Sequence, residues 1–264
     1  MALLVVLAGG RSRRFGREKC TYQIGGRRLI DYVIEAGREV ADGVVIAAGN
    51  NASLYPGERI LQDSARFSGP LAAVDAAVNM FNEELLFAPC DVPNVKPRVF
   101  EDLLSARAPV AVWVFPNGRV ESTIFKASPE AVKPVLNALA LHKRNRLDDL
   151  FRTTPTLFLS TAQHDIEPAW LLNVNRPADL EGMAVTLGEE VFLRDILLSW
   201  PDPPLFKWLG GGEVDPLREE FFKYVEVGLL SMAAHVAKDL SSIFRGFAVL
   251  AEAIYSAVDI EKAR

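Results

Sequence analysis

Leu3-Leu4-Val5-Val6-Leu7 is an unbroken apolar run that stops at Gly9-Gly10. A strand that is apolar on both faces must be covered on both, which places it inside a parallel sheet flanked by helices. The segments that follow keep to that plan. Val44–Ala48, Arg59–Leu61, Leu85–Ala88, Val110–Phe115, Ser122–Lys126, Thr156–Leu159 and Trp170–Val174 are strand-like. Between them, Leu29–Val40, Pro70–Phe81 and Pro129–Leu141 are helix-like; Leu29, Val33, Ile34 and Gly37 share one face, and Pro70 suits a first helical turn. The expected architecture is α/β, with three layers and a mostly parallel sheet. Open sheets of this kind bind ligands beyond the carboxyl ends of their strands.

The pattern changes near residue 185. A short helix-like stretch, Glu189–Trp200, is followed by Pro201-Asp202-Pro203-Pro204 and then by Leu209-Gly210-Gly211-Gly212, both of them breakers. Beyond lies one apolar stripe: Phe222, Val225, Leu229, Met232, Val236, Leu240, Ile243, Phe247, Leu250, Ile254, Val258. Its ten steps cover 36 residues, the helical period of 3.6. A straight helix of that length is unusual in a small protein, so a break is expected between Asp239 and Gly246. Two units are therefore expected, 1–184 as the α/β domain and 185–264 as a small all-α region of unknown role. The α-helical region is expected to form a hairpin that packs on the domain or on a second copy of the chain.

Charge is unevenly placed. The chain of 264 residues carries a net −5, yet residues 1–30 hold seven basic side chains and one acidic, a net +6 that leaves −11 for the rest. An acidic protein with one basic loop suits a small anionic ligand and excludes a general nucleic-acid binder. No apolar run approaches the roughly 20 residues of a membrane helix. Cys20 and Cys90, the only cysteines, make neither a disulfide framework nor a zinc site, so a reducing cytoplasm is the default compartment. His142, His164 and His235 show no metal-ligand spacing, and no Ser-His-Asp or Cys-His hydrolase pattern is visible.

The basic loop, Leu7-Ala8-Gly9-Gly10-Arg11-Ser12-Arg13-Arg14-Phe15-Gly16-Arg17-Glu18-Lys19, directly follows the first strand. Its glycines let backbone N–H groups approach a phosphate, and its cations suit a polyphosphate. It is neither G-x-x-x-x-G-K-[ST] nor G-x-G-x-x-G. The pattern L-A-G-G-x-S-x-R-[MF]-G-x-[DE]-K resembles the signature of the nucleotidyltransferases related to molybdenum cofactor guanylyltransferase, with Phe15 in place of the usual Met. Four further segments resemble that family in the same order: Leu61-Gln62-Asp63-Ser64, Ser68-Gly69-Pro70-Leu71-Ala72-Ala73, Ala88-Pro89-Cys90-Asp91-Val92-Pro93, and Leu171–Leu180 with Asn173-Val174-Asn175-Arg176-Pro177 at its centre. The resemblance covers residues 3–183.

The resemblance implies a Rossmann-like nucleotidyltransferase domain that moves GMP from GTP to the phosphate of molybdopterin with Mg²⁺ and releases pyrophosphate. It implies that Leu7, Ala8, Gly9 and Gly10 offer main-chain groups to the nucleotide. Asp63 and Gly69 then lie near the base or ribose, and Asn173 and Asn175 face the metal and acceptor. Asn50, or its neighbour by a one-residue shift, lies near the nucleotide. Asp91 is the implied Mg²⁺ ligand, because an aspartate closing a buried strand needs a cation or donors. Lys19 and Arg13, with Arg11 or Arg14, neutralise the leaving pyrophosphate. L-A-G-G in place of L-A-A-G favours GTP over CTP. A cytidylyltransferase, a guanylyltransferase for another phosphorylated acceptor such as adenosylcobinamide phosphate, and a catalytically silent nucleotide-binding regulator remain as alternatives.

Overall fold

A computed structural model describes residues 1–10, 18–174 and 184–263. The first strand, β1 (Ala2–Leu7), is buried along its length, as its composition requires. A hairpin of β2 (Gln23–Ile24) and β3 (Arg27–Arg28) leads into α1 (Leu29–Arg38). Next come β4 (Gly43–Ala47), a 3₁₀ turn (Gly49–Leu54), β5 (Ile60–Leu61), α2 (Pro70–Met80) and β6 (Glu84–Pro89). The domain continues through α3 (Pro97–Ser105), β7 (Val110–Val114), β8 (Val120–Ala127), α4 (Pro129–Leu141), α5 (Asp148–Thr153), β9 (Thr156–Ser160) and α6 (Pro168–Leu171). The rest comprises β10 (Ala184–Thr186), β11 (Ile196–Leu198), α7 (Pro204–Gly211), α8 (Asp215–Glu226), α9 (Leu230–Leu240), α10 (Gly246–Ala257) and β12 (Glu261–Ala263).

Eight strands form one sheet in the order β11-β9-β7-β8-β6-β1-β4-β5. β1 pairs in parallel with both β4 and β6, and only β8 and β11 run against their neighbours. Alternation along β1 sends Leu3 and Val5 to one face and Leu4 and Val6 to the other. The first face meets α2 and α4 through Leu71, Val74, Val132 and Leu136; the second meets α1 and α3 through Ile30, Val33, Phe100 and Leu103. This is the expected three-layer α/β domain. From β1 the chain winds outward to β4 and β5, then returns to β6 on the other side. The strand order thus reverses at β1, and a crevice opens there beyond the carboxyl ends.

The C-terminal helices are present, and the interruption between α9 and α10 falls inside the expected span. Three local readings need correction. Glu189–Trp200 is not helical: Ile196–Leu198 is an edge strand, antiparallel to β9. Trp170–Val174 is not a strand: Pro168 seeds the single turn of α6, after which Leu172 is extended. The apolar stripe also changes phase at the turn between α8 and α9. In α9, Met232, Val236 and Leu240 are fully buried, but in α8 the inward residues are Leu217, Phe221 and Tyr224, leaving Phe222 and Val225 exposed. A backbone turn at Gly228 resets the helical phase, which a single averaged period cannot register.

α8 and α9 pack on the same face of the sheet as α2 and α4, in one continuous core. Their attachment is partly ionic. Arg152 on α5 is fully buried; it meets Glu220 of α8 at 2.7 Å and Asp239 of α9 at 2.6 Å. Burial opposes its charge, but Glu220 and Asp239 more than offset this and hold its pKa well above the ordinary arginine value. Among the described residues no helix is long and apolar enough to cross a membrane.

Candidate functional site

The crevice at the strand-order reversal holds a cavity of about 270 Å³. Leu7, Ala47 and Pro89, the last residues of β1, β4 and β6, form its floor, and Gly9, Gly10, Asp63, Gly69, Pro70 and Thr123 form its rim. Ala8 does not line it; its N–H donates to the Ala47 carbonyl at 2.8 Å and continues the β1–β4 ladder. The Asp63 carboxyl packs against two backbones. A methyl group on Gly9 would lie 3.2 Å from Asp63 Oδ2; one on Gly49, whose φ is +52°, would lie 2.8 Å from it. Glycine at these two places is what lets the carboxyl reach the cavity. Burial pushes the Asp63 pKa above the ordinary carboxylate value.

Lys19 and Asp91 come together beside this cavity. Lys19 is almost buried, and its Nζ forms an ion pair with Asp91 Oδ2. The chain leaving β6 is pinned beyond β1 by the Cys90 N–H, which donates to the Leu7 carbonyl at 3.1 Å. The Val174 N–H donates to the Asp91 carbonyl at 2.8 Å, which brings exposed Asn173 to the same end of the sheet. Arg13 and Asn175 lie outside the described residues. Asn50 sits on the 3₁₀ turn with its side chain exposed. Its neighbour Asn51 turns toward the loop, its Nδ2 donating to the Gly10 carbonyl at 3.4 Å and to Glu18 Oε2 at 3.2 Å.

Cys20 and Cys90 are joined in a disulfide, Cα to Cα 5.4 Å apart, which corrects their reading as unrelated thiols. They are 70 residues apart in the chain, and only the pairing of β1 with β6 brings them together. The bridge starts one residue after Lys19 and ends one residue before Asp91, so it fixes the backbones that carry the ion pair.

Sequence reasoning missed Glu121 and Thr123. Nothing in Arg119-Val120-Glu121-Ser122-Thr123 marks a site when read alone. β8, however, runs antiparallel to β6 with Phe125 opposite Phe87, and extending that register sets Glu121 level with Asp91. A shift in the β7–β8 pairing follows Val112 and frees this stretch to turn toward the cavity. Thr123 Oγ1 donates to Glu121 Oε1 at 2.5 Å. Burial raises the Glu121 pKa; Thr123 and Arg119 oppose the rise, and the nearby charge of Asp91 adds to it.

Asp91 Oδ1 is buried and has no hydrogen-bond partner among the described residues. Such an oxygen is costly unless a cation or donor meets it. No group of three or more His, Cys, Asp or Glu side chains able to hold a metal occurs among the described residues. A hard divalent ion here would rest on Asp91 and on oxygens brought by a ligand, the usual arrangement of Mg²⁺ on nucleotide phosphates.

The sequence matches the MobA-like NTP transferase domain over residues 4–157. The chain belongs to the MobA-like NTP transferase family. Membership makes it an enzyme of the nucleotidyltransferase class. A probable molybdenum cofactor guanylyltransferase of Halalkalibacterium halodurans is 30% identical over 187 residues, covering 67% of this chain and 94% of that protein. The molybdenum cofactor guanylyltransferase of Pseudomonas putida is 32% identical over 186 residues, covering 68% of this chain and 95% of that protein. A crystal structure of molybdopterin-guanine dinucleotide biosynthesis protein A from Archaeoglobus fulgidus shares the fold, with a TM-score of 0.57 at 23% identity, covering 68% of this chain and 95% of that one. These matches leave about a third of this MobA-like chain uncovered.

Proposed function

We propose that this MobA-like protein transfers GMP from GTP to the phosphate of molybdopterin and releases pyrophosphate. The observation that carries the reading is the Lys19–Asp91 pair beside the cavity, with one buried Asp91 oxygen left for a cation. The names of the relatives support the choice of substrates.

Phosphoryl transfer of this kind needs positioning and charge neutralisation, and no covalent nucleophile on the protein. Gly9 and Gly10 bring main-chain groups to the nucleotide. Asp63 offers acceptor oxygens that match the N1–H and amino group of guanine. Asp91 would hold Mg²⁺, which supplies neutralisation of the nucleotide phosphates when bound. Lys19 would neutralise the leaving pyrophosphate, with Arg13 as its expected companion, while Asp91 would hold the metal. Asn173 and Asn175 belong to the acceptor side. A cytoplasmic location is part of this reading.

The test is a thermal-unfolding scan with GTP, CTP, ATP and UTP, each with and without Mg²⁺, followed by pyrophosphate release with molybdopterin. Ligand at about 100 times its dissociation constant adds roughly 2.7 kcal/mol of stability. The shift is expected to be largest with GTP and Mg²⁺, and Lys19→Met is expected to slow turnover by about 10²–10³-fold. A larger shift with CTP, or full turnover in Lys19→Met, overturns the assignment.

A further inference from the structure

The nucleotide cavity does not end at Thr123. That residue also lines a second cavity, of about 340 Å³, with Glu121, Ser122, Asn173 and Asp259. Ser122, Arg119 and Asp259 in turn line a third, of about 500 Å³, walled by His235 of α9 and by Glu252 and Tyr255 of α10. The three cavities share wall residues in sequence and follow the β8 strand outward. They lead from the end of β1 to the C-terminal helices. Most of the outer wall therefore comes from the chain beyond the family match.

The outer wall is set up to accept hydrogen bonds. His235 Nε2 lies 3.1 Å from Asp148 Oδ2, and its Nδ1 lies 3.0 Å from the Tyr255 hydroxyl. With the Nε2 proton donated to Asp148, Nδ1 accepts from the Tyr255 O–H, and the lone pairs of that hydroxyl remain for a ligand. The phenol stays protonated, since burial pushes its pKa up to about 12. Glu252 adds exposed carboxylate oxygens to the same wall. Arg119 stands at the junction of the second and third cavities, 3.1 Å from Asp259. The inner end of the trench thus sets Arg119 among polar and acidic groups, and its outer end is rich in acceptors.

We propose that the C-terminal helices form the distal half of the acceptor site. In this arrangement the trench binds an acceptor whose phosphate lies at the Glu121–Asn173 end and whose far end is an uncharged ring bearing N–H donors. The inference rests on the transferase reading above. Tyr255 and Glu252 are specificity residues for the acceptor and have no part in nucleotide binding.

The experiment compares Tyr255→Phe and Glu252→Ala with the parent protein, measuring KM for molybdopterin and for GTP separately. Each variant is expected to raise KM for molybdopterin about 3–10-fold, the effect of one lost hydrogen bond, with KM for GTP unchanged. Hydrogen exchange adds a readout independent of turnover. With GTP and Mg²⁺ already present, molybdopterin or free pterin is expected to protect α10 amides. Intact GTP binding with unchanged acceptor KM in both variants overturns this inference and leaves the transferase reading standing. GTP binding with neither turnover nor α10 protection by either probe overturns it too. Failure of GTP with Mg²⁺ to shift the unfolding midpoint removes both readings at once.

Discussion

Three carboxyl groups meet at the crevice with different tasks, and their surroundings separate them. Asp91 is compensated by Lys19 on one oxygen and left open on the other. Asp63 is held against glycine backbone. Glu121, like Asp63, is held by the fold in its protonated form more strongly than in the unfolded chain. Because its folded pKa is raised, its contribution to stability is complete below the ordinary glutamate value of about 4.3 and is lost as pH climbs through the higher folded value. Glu121→Gln removes that loss. The variant is therefore expected to gain stability relative to the parent as pH rises from about 4 to 7, followed by urea unfolding at each pH. A difference that stays flat across the range refutes the assignment. Of these three, Asp63 and Asp91 were legible in the sequence because each closes a strand in a recognisable motif. Glu121 was not, because its proximity to Asp91 depends on the antiparallel register of β8 with β6. The Asn50–Asn51 ambiguity has a similar origin: a 3₁₀ turn sends adjacent side chains in different directions, and only in the fold does Asn51 reach the loop.

At the scale of elements, the turn between β7 and β8 is where the two parts of the chain lock. The Gly118 carbonyl accepts from the Ser231 N–H at 3.1 Å, and the Val120 N–H donates to Ser231 Oγ at 2.9 Å. Gly118 has a φ of +80°, and a methyl group placed on it would lie 2.3 Å from the Gly228 carbonyl oxygen. Both conditions exclude a side chain, and the obstructing atom is backbone that has no rotamer to change. Gly118→Ala is expected to cost at least about 1–3 kcal/mol, read as a lowered midpoint in thermal unfolding. An unchanged midpoint would mean that the contact is dispensable. The buried parallel strands and Pro-started helices of the α/β domain could be read from sequence, because a two-faced apolar run and a prolyl first turn leave few options. The edge strand β11 could not, because a strand of three residues carries too short a pattern to outweigh a helical-looking neighbourhood. The phase change at Gly228 was hidden for a related reason, since a 3.6-residue average survives a turn that rotates which side chains face inward.

For the molecule as a whole, the buried Arg152 cluster decides how the C-terminal helices relate to the domain. Its guanidinium donates from Nε and Nη2 to Glu220 at 2.7 Å each, and from Nη1 to Asp239 and, at 3.2 Å, to Asp149. Arg144 adds a second cation, 2.8 Å from Asp149 and 2.9 Å from Asp239. Such clusters add little when complete and cost much when one member is missing. Glu220→Leu alone is expected to lower stability by about 3–5 kcal/mol. The pair Arg152→Met with Glu220→Leu is expected to recover most of that loss, with both variants followed by urea denaturation. A double variant as unstable as the two losses added together would contradict this account.

The same cluster has a consequence for descent. Two of the anions that neutralise Arg152 reside on α8 and α9. A family member without those helices has neither to offer, so an arginine there would keep only Asp149, which Arg144 already engages. In such lineages the position should hold an uncharged side chain, or an arginine turned out to solvent. Arg152, Glu220 and Asp239 are accordingly expected to be gained and lost as a set, and their joint presence would mark which relatives carry the same helices in the same place.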